Sequence, residues 1–410
     1  MTGLLQVWLS GRPIGELEQL RNGRLRLRYA ASALETHGVG ARPLSLSLPL
    51  TDRRVQGDHL ERFLDNLLPE GPVRGALERQ HRIRPGDTFA LLRQIGRECA
   101  GAIQLGTEDT DLDGGHLVDL DADEVDRIVS DLPTLDPPEG ETVSASLGGV
   151  QSKVLLTRTP GGWAWPAGGA MSTHLIKPEP ATGVGPPDLI RWEDWTLRLA
   201  RAAGLPAARA ELADFDGRLA LVVERFDRLD GRRTHQEDLT QALGVATRDK
   251  YESSAGEHRL RRIAVEAGAE ARDRTAFATD LLAQVTFNLV VGNGDAHSKN
   301  YSLAIDDTAT FSMAPLYDVA PVHLLNEVYQ SFGHSLDGQG RLRHLTAGHL
   351  LREASRWSLS DRVVAQTVES VATRVCAALP GVVGDGLDVS PVAERIAARA
   401  AAALAAVADR

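Results

Sequence analysis

Asp295 and Asn300 stand five positions apart in the run Gly292-Asn293-Gly294-Asp295-Ala296-His297-Ser298-Lys299-Asn300. In phosphoryl transfer a carboxylate must lie beside the attacking hydroxyl, and an amide oxygen five positions on can reach a magnesium ion on the nucleotide phosphates. Gly292 and Gly294 let the backbone turn tightly enough for both side chains to enter one site. Lys299, between them, is placed to neutralise charge on the transferring group. A lone Asp-x-x-x-x-Asn is more often an Asn-Gly-Asp turn at the end of a helix. The balance changes at Ala314-Pro315-Leu316-Tyr317-Asp318-Val319, where a second carboxylate follows Asn300 by 18 residues. A strand–turn–strand pattern separates them, so Asn300 and Asp318 offer metal-capable oxygens from opposite sides of one hairpin. With Asp295 as the catalytic carboxylate, that is the layout of a kinase catalytic loop and its magnesium-binding Asp.

Phosphate and adenine contacts would have to come from upstream. Ser146-Leu147-Gly148-Gly149-Val150-Gln151-Ser152-Lys153 is a glycine-containing turn that opens a strand at Val154–Leu156. Backbone N–H groups in such a turn can face phosphates. The run matches neither of the standard glycine-rich nucleotide fingerprints, and a Gly-Gly turn is ordinarily only a turn. Lys177 sits on a short apolar strand, Thr173–Pro178, as a kinase's phosphate-pairing lysine does; a strand-end lysine that snorkels is the plainer reading. Leu219–Arg228 is a buried-looking strand ending in charge. It suits a link between lobes, with backbone groups at an adenine edge and Phe226 packed nearby; an ion pair between Glu224 and an Arg explains it equally well. Lysine usage favours function. Of 45 basic residues only Lys153, Lys177, Lys250 and Lys299 are lysines, and three of them fall in phosphate-suited motifs of a chain that otherwise writes Arg.

The elements that must position these residues follow from pattern. Residues 1–107 open with strand-like runs at Leu4–Leu9, Ile14–Leu17 and Leu25–Tyr29, then helical patterns at Leu60–Gln80 and Asp87–Ile95, and are read as a mixed α+β domain. Residues 108–142 are rich in Asp, Glu, Gly and Pro, with one short helical pattern near Glu124–Leu132, and are read as an acidic connector. Asp111, Asp113, Asp119, Asp121 and Asp123 lack the Gly and terminal Glu of a calcium loop. Residues 143–410 form a second domain. Its β-rich part, 143–245, holds hairpins at Lys153–Arg158 with Gly162–Trp165 and at Ala208–Asp214 with Arg218–Phe226, joined by Pro-Gly-Gly and Asp-Gly turns. Trp192–Ala203 adds a helical pattern. Its helical part, 246–410, has patterns at Arg274–Val291, Ser360–Leu379 and Pro391–Val407.

Composition bounds the rest. A chain of 410 residues and 44.2 kDa, 42% hydrophobic and 25% charged, is a soluble globular protein of about two domains rather than a disordered or fibrous one. No run of about 18 apolar residues predicts a membrane span. Met1–Arg12 lacks a basic region, apolar core and cleavage site, so the expectation is an untargeted cytoplasmic protein. Cys99 and Cys376 lie far apart, which excludes a disulfide framework and a cysteine zinc site. The formal charge of −11 makes the chain a poor stand-alone binder of a phosphate backbone, so nucleic acid would arrive through a partner.

Together these segments resemble the HipA-like serine/threonine protein kinases, toxins of bacterial toxin–antitoxin pairs. The matching runs are SLGGVQSK (146–153), HLIKP (174–178), VERFDR (223–228), HQEDLTQALG (235–244), GNGDAHSKN (292–300) and APLYDVAP (314–321). Earlier in the chain PLSLSLPL (43–50), FLDNLLPEG (63–71) and IGRECAGAIQL (95–105) look like the family's N-terminal subdomain. The likeness runs through nearly the whole chain in the right order.

The resemblance implies an α+β, two-lobed protein-kinase-like fold, with a β-rich N-lobe, an all-helical C-lobe and an extra N-terminal α+β subdomain. It implies ATP and Mg2+ as cofactors, Asp295 as proton acceptor, and Asn300 and Asp318 as metal ligands. Gly148, Gly149, Val150, Gln151, Ser152 and Lys153 would form the phosphate loop. Lys177, His297 and Lys299 would contact phosphates, and Glu224, Arg225, Phe226 and Tyr317 would complete the nucleotide site. Ser146 would be autophosphorylated, ejecting the loop. The implied partners are a small HipB-like DNA-binding antitoxin, with DNA reached only through it, and a protein substrate of the aminoacyl-tRNA synthetase kind. Ser152 departs from the family, where an acidic residue is common. Two other functions share parts of this pattern: a small-molecule phosphotransferase of the aminoglycoside type, and a catalytically idle co-repressor that uses a kinase fold to bridge antitoxin dimers.

Overall fold

The computed structural model describes residues 3–132, 138–139, 151–180, 185–253 and 256–409. Ser146, Gly148, Gly149 and Val150 lie outside the described residues. The chain divides into two compact units, one of Met1–Pro178, Glu211–Thr247 and Ala304–Ala309, the other of Glu179–Ala210, Arg248–Leu303 and Thr310–Arg410.

The first unit is built on two sheets. Strands β1 (Gly3–Leu9), β2 (Arg12–Gln19), β3 (Leu25–Tyr29), β4 (Val55–Gln56) and β5 (Ile103–Gly106) lie in the order β4-β3-β2-β1-β5. Register sets Leu5 opposite Leu17 and Leu17 opposite Leu27, so one face of the pleat carries a row of buried leucines. The helical pattern at Leu60–Gln80 is in fact two helices, Asp58–Asn66 and Gly71–Gln80. Pro69 lies between them; it has no N–H to donate and its ring would clash with the carbonyl four residues back.

The second sheet contains β6 (His116–Leu120), β7 (Val154–Thr159), β8 (Gly162–Ala167), β9 (His174–Pro178), β10 (Ala210–Phe215) and β11 (Arg218–Glu224), ordered β10-β11-β9-β7-β8-β6. Both expected hairpins are present. On β9, Ile176 pairs with Val154 and Val222, and all three side chains are buried. Lys177, next along the strand, therefore projects from the opposite face.

The acidic connector requires correction. Residues 116–120 are the edge strand β6, antiparallel to β8, and Ala122–Ser130 is a helix closed by a capping box between Asp121 and Glu124. Its Val125, Ile128 and Val129 enter a core that runs from Leu5 to Val222. The carboxylates cap and solvate this helix, and their number hides its apolar face.

Charged groups are also buried in this unit. Glu98 accepts from Arg225, Arg228 and Arg233, while Asp227 pairs with Arg225 and Arg228. Nearby, buried His235 donates to the Leu44 C=O at 2.9 Å and accepts from the Ala102 N–H at 3.3 Å. Glu237 accepts the Leu46 N–H at 2.8 Å. Burial pushes the Glu237 carboxyl up to about 8 and the His235 imidazole down to about 4, so both are neutral near pH 7. Through these bonds the 235–238 segment pins residues 44–46.

The second unit is mainly helical rather than all-helical, since Ser331–Leu336 and Gln339–Arg341 pair as a small antiparallel sheet within it. Arg274–Val291 lies at its centre, against Arg259–Ala269, Asp361–Ala378 and Ser390–Ala408. From Gln284 to Val291 every residue of this helix is buried, so its C-terminal half gives the following turn a rigid base. Asp273 and Ser360 accept backbone N–H groups as caps. Arg259–Ala269 and Ala347–Ala354 are helices that the sequence patterns did not single out.

Candidate active site

The Arg274–Val291 helix ends at Gly292, whose φ of 72° is left-handed. An added Cβ there would also lie 2.8 Å from Leu324, so glycine serves both the turn and the packing. Asn293 then ties the turn to the helix below. Its N–H donates to the Asn288 C=O at 2.9 Å, its Nδ2 donates to Asn288 Oδ1 at 2.8 Å, and its Oδ1 accepts the Asp295 N–H at 3.0 Å. Asn288 in turn donates to the Tyr301 hydroxyl at 3.0 Å. The Asp295 C=O accepts both the His297 N–H at 2.8 Å and Asn300 Nδ2 at 2.9 Å. Asn300 thus spends its donor on the turn's own backbone, which leaves Oδ1 as the amide atom suited to a cation.

The loop carrying Asp318 is fastened to the same turn. The Tyr317 hydroxyl donates to the Lys299 C=O at 2.7 Å and lies 2.7 Å from Ser302 Oγ. The Ala314 N–H donates to the Ser302 C=O at 2.9 Å. Asp318 itself has a left-handed φ of 54°, a conformation that aspartate adopts more readily than most L-residues.

Two ring side chains flank Asp295. The Tyr251 hydroxyl donates to Asp295 Oδ1, and its ring meets the His297 ring edge-on with centroids 4.9 Å apart. His297 Nε2 stands 3.7 Å from the same Asp295 oxygen. Burial, with the charges of Asp295 and Asp318 adding, holds the Tyr251 phenol above its usual range. Burial also pushes His297 down to about 3; Lys250 and Lys299 reinforce the fall and Asp318 opposes it. The loop bearing Asp318 is thus tied, through Tyr317, to the turn that bears Asp295 and Asn300. His297 is neutral there, and its buried Nδ1 has no hydrogen-bond partner among the described residues. A phosphate oxygen would supply one.

The donor set fits a nucleotide-bound magnesium ion. Hard amide and carboxylate oxygens suit Mg2+, which takes one or two protein ligands and completes its shell with phosphate oxygens and water. Among the described residues no group of three or more His, Cys, Asp or Glu gathers as a cage for a more tightly held metal.

The remaining expected residues belong to the first unit. Lys177 is buried on β9, across from Leu221 of β11. Gln151 Nε2 lies 3.5 Å from the Pro178 C=O, and Ser152 and Lys153 lead into β7. Glu224 is exposed at the end of β11 and Phe226 is half-buried. Arg225, grouped with them as an adenine contact, is committed elsewhere. Its guanidinium bonds Glu98, Asp227, Ser172 and the Cys99 C=O, and its N–H donates to the Thr173 C=O at 2.9 Å. The ion pairing offered as the alternative reading of this strand end involves Arg225, with Glu98 and Asp227.

Sequence reasoning passed over Tyr251, Asn288 and Asn293. Lys250 was visible as the fourth lysine, and it leads directly to Tyr251. Asn288 was visible as an amide inside an otherwise apolar helical run.

Known families and relatives match most of this chain. The HipA N-terminal domain family matches residues 5–106 and the HipA-like C-terminal domain family matches residues 145–379. The Sinorhizobium fredii protein "Putative kinase Y4mE" is 38% identical over 334 residues, covering 77% of this chain and 76% of its own. A serine/threonine-protein kinase toxin HipA from Shewanella oneidensis is 31% identical over 358 residues, covering 83% and 81%. A solved Shewanella oneidensis complex of HipA, HipB and operator DNA contains a chain that superposes with a TM-score of 0.79 at 29% identity, over 99% of this chain and 97% of that one.

Proposed function

This chain belongs to the HipA-like kinase family, and on that premise we propose that it transfers a phosphoryl group from ATP to a serine or threonine of a target protein, as the toxin of a toxin–antitoxin pair. The observation that supports the reading is the tie between the loop bearing Asp318 and the Asp295–Asn300 turn, made by Tyr317 to the Lys299 C=O at 2.7 Å. In this reading the fold is the two-lobed kinase type with an added N-terminal subdomain. ATP with Mg2+ supplies the transferable group and neutralises charge in the transition state.

Asp295 would take the proton of the acceptor hydroxyl. Asn300 Oδ1 and the Asp318 carboxylate would hold the metal. Lys177, Lys299 and the neutral His297 would meet phosphates, and residues 148–153 would close over them. Glu224, Phe226 and Tyr317 would line the rest of the nucleotide site. Ser146 would be the site of self-silencing, since a phosphoryl group there adds about two negative charges beside a triphosphate.

A HipB-like DNA-binding antitoxin is the partner we propose, because the Shewanella relative was solved with HipB and operator DNA and this chain's charge of −11 suits a basic partner. The target would be a protein of translation, with aminoacyl-tRNA synthetases the first class to test. The setting would be the cytoplasm; among the described residues no helix is long and apolar enough to cross a membrane.

Incubation with labelled ATP, Mg2+ and cell lysate tests the proposal. Label should enter protein bands, and intact-mass analysis should find phosphate on Ser146. Label confined to small metabolites would point to a small-molecule phosphotransferase instead.

A further inference from the structure

Three consecutive residues, Lys250-Tyr251-Glu252, run beside the turn that carries Asp295, each tied by a different group. The Lys250 C=O accepts the Ser298 N–H at 3.1 Å and an Arg259 guanidinium nitrogen at 3.2 Å. That same nitrogen lies 3.3 Å from Ser298 Oγ. The Tyr251 hydroxyl donates to Asp295 Oδ1. The Glu252 N–H donates to the Gly333 C=O at 2.8 Å, and its carboxylate accepts the Ser335 N–H at 3.2 Å.

Behind this segment lies a buried acid–histidine pair. Glu252 Oε2 stands 3.4 Å from His334 Nδ1, and both side chains are fully buried. The strand that bears His334, Ser331–Leu336, presses on the turn itself. At Gly333 (φ 86°) an added Cβ would lie 2.4 Å from the Ala296 carbonyl oxygen. Burying a carboxylate and a histidine is costly unless their geometry is used. Here the pair fixes Glu252, and so the tyrosine bonded to the catalytic carboxylate one residue earlier.

We propose that Lys250–Glu252 is a strap that holds the catalytic turn, with Tyr251 as a positioning residue for Asp295 and the Glu252–His334 pair as its anchor. A carboxylate side chain rotates freely unless one oxygen is held. Engaging Oδ1 sets the direction in which the other oxygen faces an acceptor hydroxyl. The proposal rests on Asp295 being the proton acceptor.

Tyr251→Phe retains the ring against His297 and removes only the hydroxyl. In the full-length protein it should lower kcat for phosphoryl transfer by about 10- to 100-fold, the range expected when a reacting group loses its alignment. KM for ATP should stay unchanged, and hydrogen exchange of the 296–300 amides should quicken in the nucleotide-free protein. Glu252→Gln should quicken the same amides. A rise in turnover of Tyr251→Phe would mean that the hydroxyl blocks the acceptor's place, and would overturn the strap; so would unchanged kcat and exchange. Asp295→Asn, assayed alongside, separates the two claims. Activity surviving in it contradicts the proton-acceptor role, whereas an inactive Asp295→Asn beside a fully active Tyr251→Phe contradicts the strap alone.

Discussion

Asp295→Asn should lower phosphoryl transfer to protein by about a thousandfold, within the range lost with a general base. Asparagine matches the carboxylate in shape but cannot take the acceptor's proton. The turn around it is held by other groups: the Asn293 side chain accepts the Asp295 N–H, and the Asp295 C=O still receives Asn300 and His297. The side chain is also 44% exposed. Thermal stability should therefore be nearly that of the wild type, and ATP should still bind. Growth arrest on expression should disappear with the activity. Arrest that persists in Asp295→Asn would mean that binding, not catalysis, is what the chain contributes, which is the idle co-repressor reading.

The second large effect is on folding. Glu98→Ala removes the carboxylate shared by Arg225, Arg228 and Arg233, with every one of those side chains at most 9% exposed. Asp227 remains, paired with Arg225 and Arg228, while Arg233 loses the carboxylate it bonds. Breaking a buried pair by deleting one member costs about 3–5 kcal/mol, a large share of the ~5–15 kcal/mol that holds a domain folded. Urea denaturation should show a much lower midpoint with little change in slope. A loss under about 1 kcal/mol would show that the arginines find solvent or other acceptors and that the network is not what joins Glu98 to the 225–233 segment.

Much of this was legible in the sequence where a local rule had one strong term. The Pro-Gly-Gly and Asp-Gly turns specified their hairpins, and an apolar run bounded by Asp273 and Gly292 specified the central helix. The Asp295, Asn300 and Asp318 spacing pointed to loops that the structure ties to one another. Legibility failed where two signals competed. Carboxylates outnumbered the apolar face of Ala122–Ser130, so a packed helix read as a linker. An apolar pattern carried on across Pro69, so two helices read as one. The pairing of Arg225 with Glu98 was not legible, because 127 residues separate the two and no local pattern announces a pairing over that separation. Tyr251 was hidden for the same reason, since its contact with Asp295 spans 44 residues.

The most direct measurement is a crystal structure with Mn2+ in place of Mg2+ and a non-hydrolysable ATP analogue, located by anomalous scattering. The expected result is a metal peak about 2.1 Å from both Asn300 Oδ1 and an Asp318 carboxylate oxygen, the distance at which hard divalent ions bind oxygen, with the analogue's terminal phosphate facing Asp295. A peak bound by neither residue, or a nucleotide seated away from the 292–300 turn, would contradict it.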